Sequence, residues 1–250
     1  VSAGNIKDPV QLEISSEEFA TKEDDEKLGI VLSSLYDSRR NRRILAPSES
    51  INSLTVGALH DDASRNTPPG GYIDLLPSSR LPSPLSPFGH GFRSSIKPEI
   101  VVPGGRQFFA HCGDGEYRIP DIQPQFGQKV AAVPVSAGDR TRAVYTCGTS
   151  NATALTVRGG SFIYDAIMEI LETQRIEDVD ESIAPLLKAL IVHGASWGEA
   201  AGIIKSAILN GLHWTEVKKG IARCIGYGCP DFSKAIECTT TRATAIGYGV

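Results

Sequence analysis

The chain has 250 residues, 41% of them hydrophobic and 22% charged, which is enough apolar content to bury the core of one large domain or two small ones. Its net charge of −4 gives no electrostatic reason to expect nucleic acid or an anionic membrane surface as a partner. No run of about 18 apolar residues occurs, so nothing in it resembles a transmembrane span.

The chain opens on "VSAGN", with no initiator Met, so its natural start is expected to lie elsewhere. "VSAG" reads as a strand end stopping at Asn5. Residues 8–26 ("EISSEEFATKEDDE" within them) are polar and acidic and read as a solvated surface segment. Residues 27–43 fit a strand, a helix, or one followed by the other. "SINSLTVGAL" (50–59) reads as a strand, and the Pro-, Ser- and Gly-rich residues 63–95 as an irregular surface excursion. "IKPEIVVPGG" holds a short buried strand stopped by Pro103-Gly104-Gly105. Asp114-Gly115 is a hairpin signal, and "KVAAVPVS" and "RAVYTC" read as further strands.

From Thr149 the apolar spacing becomes helical, with Gly159 and Gly160 as interruptions. "ESIAPLLKALIVHGA" and "SWGEAAGIIKSAIL" predict two more helices, and "DFSKAIEC" a short one capped by Asp231. Strands and loops dominate the first half and helices the second, which points to a mixed α/β domain.

The five cysteines, Cys112, Cys147, Cys224, Cys229 and Cys238, are odd in number and irregularly spaced. That pattern argues against a disulfide framework and favours a reducing compartment, hence a cytoplasmic location. Cys224, Cys229 and Cys238 with His213 lack the paired short spacing of a zinc site, and free thiols are the reading adopted. "PPGG", "PGG" and "RGG" lack the order of a phosphate loop and read as turns.

Chemistry points to "CGTSNA" around Ser150. A serine hydroxyl is a poor nucleophile at neutral pH and needs a neighbouring base, and its tetrahedral intermediate needs donors for the oxyanion. A helix start supplies free backbone N–H groups and the positive end of the dipole. Taken alone, the same string is equally a helix cap formed by Thr149 or Ser150.

Gly148-Thr149-Ser150-Asn151-Ala152 resembles the nucleophile motif of the subtilisin-like serine proteases, Gly-Thr-Ser-x-Ala. Other blocks resemble that family in the family's own order: Ala3-Gly4-Asn5, "PSESINSLTVGAL", "SPFGHGFRSSIKPEIVVPGG", "APLLKALIVHGA" and "GYGCPDFSKAI". The resemblance implies a three-layer α/β subtilisin-like fold with a mostly parallel sheet, present here as its C-terminal portion. Residues 1–238 would be that part of the catalytic domain, and residues 239–250 the start of a following module or linker. It further implies peptide-bond hydrolysis through an acyl-enzyme, with Ser150 as nucleophile and Asn5 as oxyanion donor. Ala3 and Gly4 would line the pocket for the residue preceding the scissile bond, and the partner would be a protein or peptide substrate.

No organic cofactor is implied, and calcium, frequent in the family, has no recognisable binding loop here. Ala154 stands where the family usually has Pro, a change that removes a kink and leaves the reacting groups alone. Long connections at residues 6–46 and 61–85 imply different surface loops. The family order is Asp, His, Asn, Ser, and this sequence starts at the Asn strand, so the triad's Asp and His are expected upstream, in a partner half of the same protein. None of the five histidines has the Gly-Thr neighbour of the family histidine. The alternative is a non-catalytic member that keeps the fold as a binding or assembly module.

Overall fold

The computed structural model describes residues 1–62, 67–68, 70–77, 80–120, 126–175 and 180–235. The first half carries β1 (Val10–Gln11), α1 (Ser16–Thr21), α2 (Asp24–Asp37), β2 (Val56–Leu59), β3 (Tyr72–Ile73), β4 (Ile100–Pro103), β5 (Phe109–His111), β6 (Glu116–Arg118), β7 (Gln128–Ala131) and β8 (Ala143–Thr146). The second half carries the long helix α3 (Thr149–Gln174), α4 (Asp180–His193), β9 (Ala195–Ser196), α5 (Ala200–Ile208), α6 (Trp214–Ile225) and β10 (Cys229–Pro230).

At the centre β2 and β4 run parallel, in register from Val56↔Ile100 to Leu59↔Pro103, and Ser2 joins through a parallel bridge to Val56. Both strands are continuous apolar runs, as expected of parallel strands covered on both faces. Their alternating side chains divide the core. Val56, Ala58, Ile100 and Val102 pack with Ala152, Ile163 and Ile167 of α3 and with Leu190 and Ile191 of α4. Leu59 and Val101 point the other way, into a cluster with Leu28, Val31, Leu32 and Leu35 of α2, Ile204 of α5, and Val217 and Ile221 of α6. Helices on both faces of a parallel sheet give the three-layer α/β arrangement that the resemblance implied. The other strand pairs are antiparallel: a sheet ordered β1-β6-β5-β3, the hairpin β7-β8, and the pair β9-β10.

Several local expectations need correction. Residues 8–26 are not merely a solvated segment, since Val10, Leu12 and Phe19 are buried and Ser15 caps α1 by accepting from the Glu18 N–H. Of residues 27–43, for which strand and helix were both open, those up to Asp37 belong to helix α2, whose apolar side is turned to the core. The excursion 63–95 is not a surface loop at its far end, because residues 81–88 are all buried. Their backbone polar groups pair with the main chain around them: His60 N–H donates to Leu81 O, Ser83 N–H to Ala58 O, and Ile6 N–H to Leu85 O. Prolines at 82, 84 and 87 remove donors that a buried segment would otherwise have to satisfy.

Gly159 and Gly160 do not interrupt α3. A Cβ at Gly159 would stand 2.5 Å from the Phe232 ring, so this glycine admits the ring to the helix surface. After Asp231 the described residues form a turn of 3₁₀ helix, Ser233–Ala235, with Asp231 Oδ1 accepting from the Lys234 N–H. Helix α6 has no counterpart among the elements expected from sequence. Cys238 and residues 239–250 lie outside the described residues. The described cysteines, 112, 147, 224 and 229, are all free thiols.

Candidate active site

The start of α3 is built by glycines and one asparagine rather than by a capping hydroxyl. Gly148 is the residue before the helix, at φ 128°, and no side chain of its own caps the end. Its N–H donates to Gly104 O at 2.7 Å, tying the helix start to the end of β4. A Cβ at this position would lie 2.7 Å from Asn5 Oδ1 and 2.8 Å from Asn5 Nδ2, so the close approach of Asn5 also demands glycine.

Asn5 Oδ1 accepts from the Thr149 N–H at 2.9 Å, the first amide of α3. The Thr149 hydroxyl lies 3.0 Å from Gly4 O and 3.1 Å from Asn5 Oδ1, and it accepts from the Gly4 N–H at 3.2 Å. These contacts fix the Asn5 amide with its oxygen toward the backbone and Nδ2 on the opposite side. Nδ2 makes no hydrogen bond among the described residues.

Ser150 follows on the first turn and is exposed, and its hydroxyl has no hydrogen-bond partner among the described residues. The capping reading of Thr149 and Ser150 therefore does not hold, since Asn5 takes that part. The backbone N–H groups of Ser150 and Asn151 face out of the helix end without intrahelical acceptors. The Asn151 side chain points inward instead, donating to Thr146 O at 3.1 Å, Thr146 Oγ1 at 2.9 Å and Gln128 Oε1 at 3.2 Å. It thereby locks the first turn to the β7-β8 hairpin.

Ala3 is fully buried, its N–H donating to Val56 O at 2.9 Å and its carbonyl accepting from Leu45 N–H at 3.3 Å. Gly4, at φ 105°, is covered by Leu45, whose side chain lies 2.7–3.0 Å from where a Gly4 Cβ would stand. Leu45 is 46% exposed, an apolar neighbour of Gly4 that no sequence motif announced. Cys147, just before Gly148, donates to Gln107 Oε1, and burial pushes its thiol up to about 12, so the sulfur stays protonated beside the serine.

No histidine of the chain bonds Ser150. His60 is buried at the end of β2, where Nδ1 accepts from the Gln107 N–H at 3.3 Å and Nε2 donates to Asp74 Oδ1 at 2.7 Å. Both ring nitrogens are thus engaged away from Ser150. His90 accepts from Arg223 Nε at 2.9 Å, and His213 caps α6. His193 ends α4. His111 Nε2 lies 2.6 Å from Ser16 Oγ on the surface, a Ser–His contact that sequence reasoning missed. It has no carboxylate on its other nitrogen among the described residues, so the arrangement lacks an orienting group. Among the described residues no cluster of three or more His, Cys, Asp or Glu side chains could hold a metal ion. Among them, too, no helix is long and apolar enough to cross a membrane.

Over 76 residues the chain is 32% identical to the uncharacterised protein y4bN of Sinorhizobium fredii, a stretch that covers 30% of this chain and 18% of that relative. The chain thus spans less than a fifth of the length of the curated relative it matches. No solved structure matches it. A profile of the subtilase family, in contrast, matches residues 1–228, which takes in the Asn5 turn, the parallel strands β2 and β4, and the Ser150 helix start. The chain belongs to the subtilase family of serine peptidases.

Proposed function

We propose that this chain supplies the nucleophile and the oxyanion donor of a serine endopeptidase. Ser150 Oγ attacks the scissile carbonyl carbon, and a base takes the hydroxyl proton as the C–O bond forms. The negative charge that develops on the carbonyl oxygen is met by Asn5 Nδ2–H and by the Ser150 N–H at the positive end of α3. Collapse expels the amine, which takes the proton from the base, and water then cleaves the acyl-enzyme. Ala3 and Gly4, with Leu45 over them, line the pocket for the residue preceding the scissile bond. The observation that carries the reading is Asn5, whose oxygen is spent on the first helix amide, next in sequence to an exposed Ser150, while its nitrogen makes no hydrogen bond among the described residues.

The base and the carboxylate that orients it come from outside these 250 residues, a reading supported by the absence of any hydrogen bond from the five histidines to Ser150 and by the other partners that His60, His90, His111 and His213 take. The chain by itself therefore hydrolyses peptides too slowly for an ordinary assay. In the full-length protein, Ser150→Ala is expected to abolish peptide hydrolysis and labelling by a serine-directed phosphonate, with little change in thermal stability. Labelling of the isolated 250-residue chain at Ser150, without its upstream partner, would place a base inside it and overturn the second half of this proposal. A full-length protein that neither labels nor cleaves would favour a binding or assembly module on the same fold.

A further inference from the structure

Away from the Asn5–Ser150 site, a cavity of about 340 Å³ is lined by Arg39, Arg40, Arg43, Gly89, His90 and Arg223. Four arginines line it, and among the described residues no acidic or apolar side chain does. The chain as a whole carries a net charge of −4, so this concentration of positive charge is local. Like charges gathered side by side repel one another, and a bound anion would relieve that repulsion.

The neighbouring Arg42 shows how a structural arginine behaves in the same segment. It is buried, with its guanidinium donating to Pro84 O at 2.8 Å, Asp8 O at 3.2 Å and Ser38 Oγ at 3.1 Å. Arg40 and Arg43, on either side of it, are exposed, and their guanidinium groups make no hydrogen bond or ion pair among the described residues. Arg39 is partly held: it stacks over the Tyr36 ring at 4.4 Å, donates to Tyr36 O, and stands 3.9 Å from the exposed Asp37.

Arg223 spends only Nε, on His90 Nε2 at 2.9 Å, which leaves its two terminal amino groups unbonded among the described residues. Because Nε2 accepts, the His90 proton sits on Nδ1, and Nδ1 is buried with no hydrogen-bond partner among the described residues. The ring is held neutral by its burial and by the charges of Arg223 and Lys219, which lower its pKa. The cavity wall thus combines four guanidinium groups, each with N–H donors left free among the described residues, with a neutral His90 ring.

We propose that this cavity binds a phosphate group, either free inorganic phosphate or the phosphate of a small phosphorylated molecule. Guanidinium forks match phosphate oxygens in pairs, and four of them suit a dianion better than a single carboxylate. The volume is at the low end of small-molecule sites, which suits a phosphate group with little attached to it. The site is independent of the peptidase reading and stands or falls without it.

The test is titration of the full-length protein with inorganic phosphate, followed by phosphorus NMR and calorimetry, with sodium chloride at matched ionic strength as control. Saturable binding that chloride does not reproduce is expected, weakened on the order of tenfold for each of Arg40→Gln and Arg43→Gln. Both residues are exposed, so these variants should keep the fold, which circular dichroism checks. Glycerol phosphate binding more tightly than the free ion would identify a phosphorylated metabolite as the ligand, and the reverse order the ion itself. An unperturbed phosphorus resonance on the wild-type protein, or a response equalled by chloride, would overturn the proposal. So would phosphate binding that is unchanged in folded Arg40→Gln and Arg43→Gln.

Discussion

Asn5 does two things with one amide, and they can be separated. Its oxygen caps α3 through the Thr149 N–H, and its nitrogen is the donor proposed for the oxyanion. In Asn5→Asp the acceptor survives, and a negative charge at a helix start is favoured by about 0.3–1 kcal/mol. The donor is lost. The expected result in the full-length protein is a melting temperature equal to or above wild type, with turnover down by about 10²–10³-fold and KM little changed. That magnitude is the effect known for an oxyanion donor in subtilisin, a member of the same family. Asn5→Ala removes both groups and should lose about 1 kcal/mol of stability as well as turnover. Calorimetry and initial-rate measurements on the pair check the division, and wild-type turnover in Asn5→Asp would remove Asn5 from the chemistry.

Helix α3 offers a test at the scale of elements, because its two adjacent glycines differ in what surrounds them. At Gly160 the nearest atom to an added methyl is Ile191 Cδ1 at 3.6 Å, ordinary contact, whereas at Gly159 the Phe232 ring stands at 2.5–2.6 Å. Gly160→Ala should therefore stabilise by up to about 1 kcal/mol through helix propensity. Gly159→Ala should destabilise by about 1–3 kcal/mol as the ring and the turn holding it are displaced. Urea unfolding of the two variants decides it.

The same element shows what was legible beforehand. Helical spacing from Thr149 and the string Gly148-Thr149-Ser150 were readable because a helix start and its core face are local patterns. The buried run 81–88 was not, since its prolines and serines signal a loop unless one knows that the main chain of Ile6, Ala58 and His60 pairs with it. Helix α6 went unread although Val217, Ile221, Cys224 and Ile225 repeat at helical spacing on its buried side. The Ser15–Glu18 cap was likewise available as a local signature and was masked by acidic composition. The Arg39, Arg40, Arg43 and Arg223 cavity could not be read at all, because its walls come from distant parts of the chain.

For the whole molecule, acid sensitivity should centre on Asp74. Its side chain is 4% exposed and lies beside the fully buried Leu75 and Leu76. Burial pushes the carboxyl up, but hydrogen bonds from His60 and Arg106 together with the charge of Arg106 outweigh it, and the net pKa is lowered. A lowered folded pKa means the stabilisation is complete above the ordinary carboxylate value, about 3.9, and is lost as pH falls through the folded value. Denaturant titrations at a series of pH values should show that loss. Asp74→Asn should have a shallower acid limb and be less stable near neutrality by about 3–5 kcal/mol, because it leaves the Arg106 charge in the site with one partner fewer.

The bond from Asn5 to Thr149 joins residues 144 apart, and the Gly4 contacts to the Thr149 hydroxyl span 145. The entropy of closing so long a loop grows only with the logarithm of its length, so the separation is tolerable in the finished domain. During synthesis it has another effect. A growing chain presents Asn5 long before Thr149 exists, and until the two meet the first turn of α3 has no cap and the asparagine nitrogen no fixed direction. For the activity proposed above, competence would arrive only after the ribosome has delivered about three fifths of these residues, which spares the unfinished chain from its own chemistry.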